Sequence, residues 1–282
     1  MNLNKLRSHA KINLSLGVIK KLHSKLHKIE SIVSFIDLYD EIHLKEIKEQ
    51  NHKILFYGKF SKRIGKENTV SNLLQILDQR KLLKNKKYLI KIKKNIPHKS
   101  GLGGGSMNAA NILKYFIKQK FFRLNELELY KIASKIGFDT IIGIHKNSYF
   151  LAGNSKIRFA GFNASKYLVL MMPNFGCSSK DIYSKVKNYS KTKLVFLKNR
   201  HLSNEDLTKL TNDLEKPAFK KYPKLKKIKL FMENLDKVLF ARMSGSGSSI
   251  VAYFNIKKDA KKAQKILKKK YKNYWCILSK TI

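Results

Sequence analysis

The segment Pro97-His98-Lys99-Ser100-Gly101-Leu102-Gly103-Gly104-Gly105-Ser106-Met107-Asn108-Ala109-Ala110 constrains this chain more than any other. Four glycines in five positions free the backbone for turns that side chains forbid, and let N–H groups point inward at an anion. A predicted strand precedes the segment and a predicted helix follows it, so the positive end of the helix dipole lies on the same anion. That combination is a phosphate cradle; the plain alternative is a flexible glycine turn. It is not a Walker A loop, because Ser106 and Met107 follow Gly105 where a Lys-Ser/Thr pair is required. It is not a dinucleotide-binding turn either, since the acidic ribose partner expected about 20 residues on is missing.

Around the cradle, apolar and β-branched runs predict strands over 12–19, 29–38, 41–44, 53–57 and 88–92. Helical spacing predicts helices over 69–83, 108–122 and 125–136. Beyond a turn-rich patch around Gly153 and 161–163, a buried strand is expected at 167–172, then helices over 179–186, 204–219 and 222–234. Strands over 238–243 and 249–254 flank Ser244-Gly245-Ser246-Gly247-Ser248-Ser249, and a helix over 259–269 leads to a last strand at 274–278. The pattern is α+β in two closely packed lobes, divided near residue 160 into 1–160 and 161–282. No repeat and no long Gly/Ser or Pro linker interrupts it.

The formal net charge is +41, from 60 Lys plus Arg against 19 Asp plus Glu. Such a field attracts polyanions. Only seven of the 60 are Arg, however, and the lysines are spread over almost every surface-like segment, without the Arg forks or interleaved aromatics that read bases. No specific nucleic acid partner is expected. No run reaches the roughly 18 apolar residues of a membrane helix, and the short apolar run at 12–19 has no cleavage site after it, so a cytoplasmic, membrane-free protein is expected. Cys177 and Cys276 are isolated, which supports neither a disulfide framework nor a zinc site, and no metal ligand is assigned.

Further candidates lie outside the cradle. In Ala10-Lys11-Ile12-Asn13-Leu14, Lys11 and Asn13 share one face of a strand, because side chains two apart point the same way. Asp139, in Gly137-Phe138-Asp139-Thr140-Ile141, is a rare acid between apolar runs, either a member of a structural ion pair or a catalytic base. The Ser244–Ser249 turn alone reads as a hairpin loop; its small residues could also line the first cradle.

In this order, the three segments resemble the signatures of the GHMP kinase superfamily: galactokinase, homoserine kinase, mevalonate kinase and phosphomevalonate kinase. Within it the likeness is strongest to the branch that phosphorylates a cytidine-diphosphate-linked methylerythritol on the non-mevalonate route to isoprenoid precursors. The residues carrying that likeness include Asp37, Asp40, Asn212-Asp213-x-Glu215 and Ala241-Arg242-Met243-Ser244. The resemblance implies an N-terminal two-layer α/β lobe, a C-terminal ferredoxin-like lobe and an active site in the cleft between them. It implies that Asp139 takes the proton of the attacking hydroxyl and that Lys11 polarises that hydroxyl. It places ATP on Asn68, Pro97, Gly101, Gly103, Gly104, Gly105, Ser106 and Asn108, with Mg²⁺ bridging phosphate oxygens. For the cytidine diphosphate substrate it implies His27 and Tyr183 on the base, with Asn13, Ser179, Gly245 and Ser246 close by. A monomer or homodimer is expected.

The chain departs from the branch at three places. Ser24-Lys25-Leu26-His27 replaces D-G-Y-H, which puts Leu26 where an aromatic stacks; Tyr149 or Phe175 could compensate. Thr140 and Ile141 replace the valine and proline after Asp139, and Asn154-Ser155-Lys156 replaces a glycine-rich turn past Gly153. Two other readings remain open at this level. One is a homoserine- or mevalonate-type alcohol kinase, and the other is a basic nucleic-acid-binding protein on a kinase-like fold.

Overall fold

A computed structural model describes residues 4–22, 27–62, 64–144, 149–152, 156–159, 166–191 and 202–282. Leu26, Gly153, Asn154 and Ser155, named among the departures above, lie outside the described residues, as does the side chain of Tyr149. The chain forms two compact units, each assembled from separate segments. The first takes Met1–Ala10, Leu38–His98 and Gly103–Lys146; the second takes Lys11–Asp37, Lys99–Leu102 and Asn147–Ile282.

In the first unit, the C-terminal part of β2 (His27–Ile47) pairs antiparallel with β4 (Lys87–Lys93), from Glu41↔Lys93 to Ile47↔Lys87. Strand β3 (Lys53–Tyr57) runs parallel to β4, from Lys53↔Leu89 to Tyr57↔Lys93. Alternate residues such as Ile42, Leu44, Ile90 and Ile92 are buried, as the two-residue period of a one-sided sheet requires. Helices α1 (Thr69–Gln79), α2 (Gly104–Lys118) and α3 (Glu126–Ile136) contribute Val70, Leu73, Leu77, Ile112, Phe116 and Ile132 to the same core. A short helix, α4 (Phe138–Ile144), follows directly.

The second unit contains most of β1 (Asn4–Lys21) and the N-terminal part of β2, where Ser31–Val33 pairs antiparallel with β5 (Tyr149–Ala152), itself antiparallel to β6 (Lys156–Phe159). Its other sheet has the order β10-β7-β9-β8, antiparallel throughout, built from β7 (Tyr167–Met172), β8 (Phe240–Met243), β9 (Ile250–Phe254) and β10 (Trp275–Lys280). That strand order is ferredoxin-like. Helices α8 (Pro223–Glu233) and α9 (Lys257–Lys270) place Leu225, Ile228, Met232, Ala260, Ala263 and Leu267 in its core, with Val169, Met171, Ala252 and Phe254 from the strands.

The structure corrects the sequence reading at several elements. Strand β2 is continuous through Tyr39 and Asp40, where two strands were expected, because the Asp40 carboxylate is fully hydrogen-bonded inside the fold. Helix α1 stops at Gln79, and Lys81, Lys84 and Asn85 take positive φ in the turn after it. The helix predicted over 204–219 is two, α6 (Asn204–Lys209) and α7 (Glu215–Lys221). Between them the backbone bonds to β1 instead, with Leu16 N–H donating to Thr211 O and Asp213 N–H to Leu16 O. The strands β5 and β6 and the helix α4 were not read at all; α5 (Ser179–Ser184) is two residues shorter than expected.

Phe116 is fully buried and meets Tyr88 edge-on, with ring centroids 4.9 Å apart. Phe116→Ala is expected to destabilise the protein by about 3–5 kcal/mol, read as a shift of the urea midpoint at unchanged slope.

Candidate active site

The glycine loop from Gly103 onward belongs to the first unit. Gly103 sits at φ 69°, ψ 11° as the N-cap of α2, a left-handed conformation that costs glycine nothing. Gly104 and Gly105 are therefore the opening residues of α2 rather than part of the loop before it, four residues earlier than the predicted helix start. The N-cap makes no side-chain hydrogen bond and the first turn carries no acid. The first N–H groups and the dipole thus remain directed at an incoming anion. A Cβ on Gly104 would stand 2.9 Å from Ile96 Cγ2, too close for any other residue. Thr69 Oγ1 donates to Gly105 O at 2.8 Å, fastening the start of α1 to the loop.

Asn68 is the N-cap of α1: its Oδ1 accepts from Val70 and Ser71 N–H, and its Nδ2 donates to the Gly65 and Lys66 carbonyls. Pro97 is buried just before the loop. Asn108 is 1% exposed and donates from Nδ2 to Asp40 at 3.0 Å.

Asp139 lies in the first turn of α4, half-buried. Two contacts fix this turn against the loop. The Cβ position of Gly137 is 3.7 Å from Ser106 Oγ, and a Cβ on Gly143 would come 2.6 Å from the Ala110 Cβ and 3.0 Å from Met107 Sδ. Gly143 lets α4 lie directly on α2, so Ser106 and the turn holding Asp139 are brought together. Sequence reading missed this glycine, which stands alone in an apolar run with no local signal beyond its being a glycine inside a helix. Thr140 and Ile141, the residues that depart from the branch pattern, are buried members of the same helix.

Lys11 belongs to the second unit. Lys11 Nζ donates to Asn13 Oδ1 at 2.8 Å, each residue being 3% exposed, as the shared strand face predicts. Asn13 Nδ2 donates to Ser31 Oγ at 2.8 Å, and its backbone N–H to Ser244 Oγ at 3.3 Å. Ser244 Oγ in turn donates to Gly101 O at 3.0 Å, and a Cβ on Gly101 would collide with the Ser244 carbonyl. Within this unit, the second glycine-rich turn therefore packs on Ser100 and Gly101. Its own shape is set by Asn212 Nδ2, which donates to Met243 O and Gly245 O at 2.8 Å each, and by Glu215, which accepts from Met243 N–H at 2.8 Å. Burial raises the Glu215 pKa above the ordinary carboxylate value, partly offset by Lys229.

The expected base-binding pair is also within this unit. His27 and Tyr183 hold their rings 5.3 Å apart at 33°, and Ser179 Oγ is 2.7 Å from Ser246 Oγ. Phe175 is stacked on Tyr222 at 5.0 Å. Burial first, and the Lys21 charge second, lower the His27 pKa below 6.5. Among the described residues no cluster of three or more His, Cys, Asp or Glu could hold a metal ion, and no helix is long and apolar enough to cross a membrane.

The family model "GHMP kinases N terminal domain" matches residues 68–147, and "GHMP kinases C terminal" matches 195–273. The chain belongs to the GHMP kinases. It is 50% identical to the 4-diphosphocytidyl-2-C-methyl-D-erythritol kinase of Pelagibacter ubique, with all of both chains covered. It is 32% identical to the kinase of that name from Clostridium perfringens, over 99% of this chain and 98% of the relative. These full-length likenesses make it a member of the 4-diphosphocytidyl-2-C-methyl-D-erythritol kinase family. The fold is shared with a crystal structure of 4-(cytidine 5'-diphospho)-2C-methyl-D-erythritol kinase, at a TM-score of 0.77 and 21% identity over 98% of this chain and 99% of that one. Homoserine kinase from Cytophaga hutchinsonii follows at 0.74 and 16%, over 100% and 95%.

Because His27 is depressed in the folded protein, its contribution to stability is present above pH 6.5 and is lost as pH falls through the folded value. Lys21→Gln should move the ring titration upward but leave it below 6.5, since burial is the larger cause; an NMR titration of the His27 ring in both proteins checks this.

Proposed function

We propose that this chain transfers the terminal phosphoryl group of ATP to the 2-hydroxyl of 4-diphosphocytidyl-2-C-methyl-D-erythritol, giving the 2-phosphate and ADP in the non-mevalonate isoprenoid route. The substrate rests on the activity after which the full-length relatives are named, together with the His27–Tyr183 ring pair, which suits a planar base. The carrying observation for the chemistry is the packing of α4 on α2 through Gly143, which brings the turn that carries Asp139 close to Ser106.

In this reading the substrate oxygen attacks the γ-phosphorus as its bond to the β,γ-bridging oxygen breaks. Asp139 receives the hydroxyl proton and ADP leaves. Lys11, oriented by Asn13, polarises the hydroxyl and offsets charge on the transferring group. Phosphoryl transfer depends mainly on such positioning and charge stabilisation. The N–H groups of 103–106 take the β- and γ-phosphates, with Asn68, Pro97, Gly101 and Asn108 completing the nucleotide site. Asn13, His27, Ser179, Tyr183, Gly245 and Ser246 take the cytidine substrate. The Ser106 hydroxyl, a hard oxygen ligand, would help hold Mg²⁺, which would supply charge neutralisation to the phosphates.

The two family matches fall on either side of residue 160, in keeping with a nucleotide-binding part before that point and a second part after it. A cytoplasmic monomer or homodimer suffices for the reaction, with no nucleic acid or membrane partner.

A coupled ADP-release assay with ATP and Mg²⁺ over a panel of alcohols tests the proposal. Turnover should be fastest with the cytidine-diphosphate-linked substrate; preference for homoserine or mevalonate overturns the substrate assignment. Asp139→Asn should lower kcat by about 10²–10⁴-fold with nucleotide affinity retained. Unchanged turnover would remove Asp139 from the mechanism.

A further inference from the structure

Asp40 is fully buried in the middle of β2, and four donors converge on its carboxylate. Oδ1 accepts from the backbone N–H of Asn95 at 2.8 Å and of Ile96 at 2.9 Å. Oδ2 accepts from Asn108 Nδ2 at 3.0 Å and from the ammonium of Lys94, which is itself only 4% exposed. Asn95 Nδ2 adds a bond to the neighbouring Tyr39 carbonyl at 2.9 Å. A single carboxylate thus holds both ends of the phosphate loop: residues 94–96 immediately before it and the second turn of α2 immediately after it.

The same network reaches the loop directly. The Lys94 ammonium is 3.3 Å from the place where a Gly104 side chain would start, and Ile96 closes on Gly104 from the same side. A charge left unpaired there would be costly, so Asp40 and Lys94 hold each other in place while the ammonium adds positive charge behind the N–H groups that open α2. The other amide atom of Asn108, Oδ1, is buried and has no partner, although its Nδ2 is engaged. The amide is therefore oriented by Asp40, with its acceptor left for a donor from outside the fold.

We infer that Asp40, acting through Lys94 and Asn108, is the positioning residue of the phosphate loop and sets the affinity for the triphosphate without touching it. A merely stabilising ion pair would change the folded fraction and leave the affinity of the folded protein unaltered. A positioning one changes nucleotide affinity and leaves the affinity for the alcohol as it was. The inference rests on the nucleotide-binding reading above, and direct binding separates the two failures.

The experiment is a titration of purified full-length protein with a fluorescent ATP analogue, followed by KM for ATP and for the alcohol, with folding monitored by circular dichroism. If the wild-type chain binds no nucleotide, the kinase reading itself fails. If it binds, Asp40→Asn should weaken nucleotide binding at least tenfold and leave KM for the alcohol within twofold, while Asp40→Glu recovers part of the loss. Should Asp40→Asn not fold, the double variant Asp40→Asn/Lys94→Met carries no unpaired buried charge; it is expected to fold and to show the same selective loss. Wild-type nucleotide affinity in any folded variant lacking the Asp40 charge overturns the inference, as does an equal loss for nucleotide and alcohol.

Discussion

Peptide N–H groups at the start of α2 must be left unbonded by the protein, yet held within a few tenths of an ångström of fixed positions. That requirement governs the first unit. Glycine at 103 supplies the left-handed turn, and the absence of a side chain at 104 lets Ile96 close in behind the loop. What fixes the peptide planes is the surroundings: Thr69 from α1, the 94–96 segment anchored on Asp40, and α4 lying on α2 through Gly143. Glycines give the loop its shape at an entropic cost, and the neighbouring elements remove the freedom that glycine brings.

The extreme basicity has a structural counterpart. Single carboxylates here face two basic side chains: Glu41 takes Lys5 and Lys93, Asp181 takes Lys185 and Lys221, and Asp78 takes Lys87 and the His52 ring, whose pKa burial lowers; in the opposite sense, Lys229 lies between Glu215 and Glu233. Most of these pairs are partly exposed and worth well under about 1 kcal/mol apiece. Among the described residues the exception is the buried Lys94–Asp40 pair. The net field remains strongly positive, of the sign that draws in an anionic substrate.

The glycine turn ahead of α2 was legible from sequence because its residue types are demanded locally, by backbone geometry within a few positions. The Lys11–Asn13 contact was legible for the same reason, since the strand period fixes it. The break between α6 and α7 was not, because the residues between them carry no proline or glycine; their backbone groups are claimed by β1, some 200 positions away. Asp40 was read among the family residues, but its work was hidden. An acid in a strand looks like an interruption until the four donors around it, drawn from β4's end and α2, are brought in. Gly143 likewise acquires meaning only when Ala110 is opposite it.

The chain order of the two units has a kinetic consequence. Residues 11–37 belong with a body completed only by segments beyond 147, and residues 38–98 together with 103–146 intervene. Neither unit corresponds to one continuous stretch, so the early strands must wait for partners more than a hundred positions downstream. Closing such long loops is entropically slow, and contacts of this separation predict leisurely refolding compared with a chain whose neighbours in space are neighbours in sequence. Cutting the gene between the family-matched regions would therefore leave the first unit whole on one fragment and strand residues 11–37 of the second unit away from the segments they belong with.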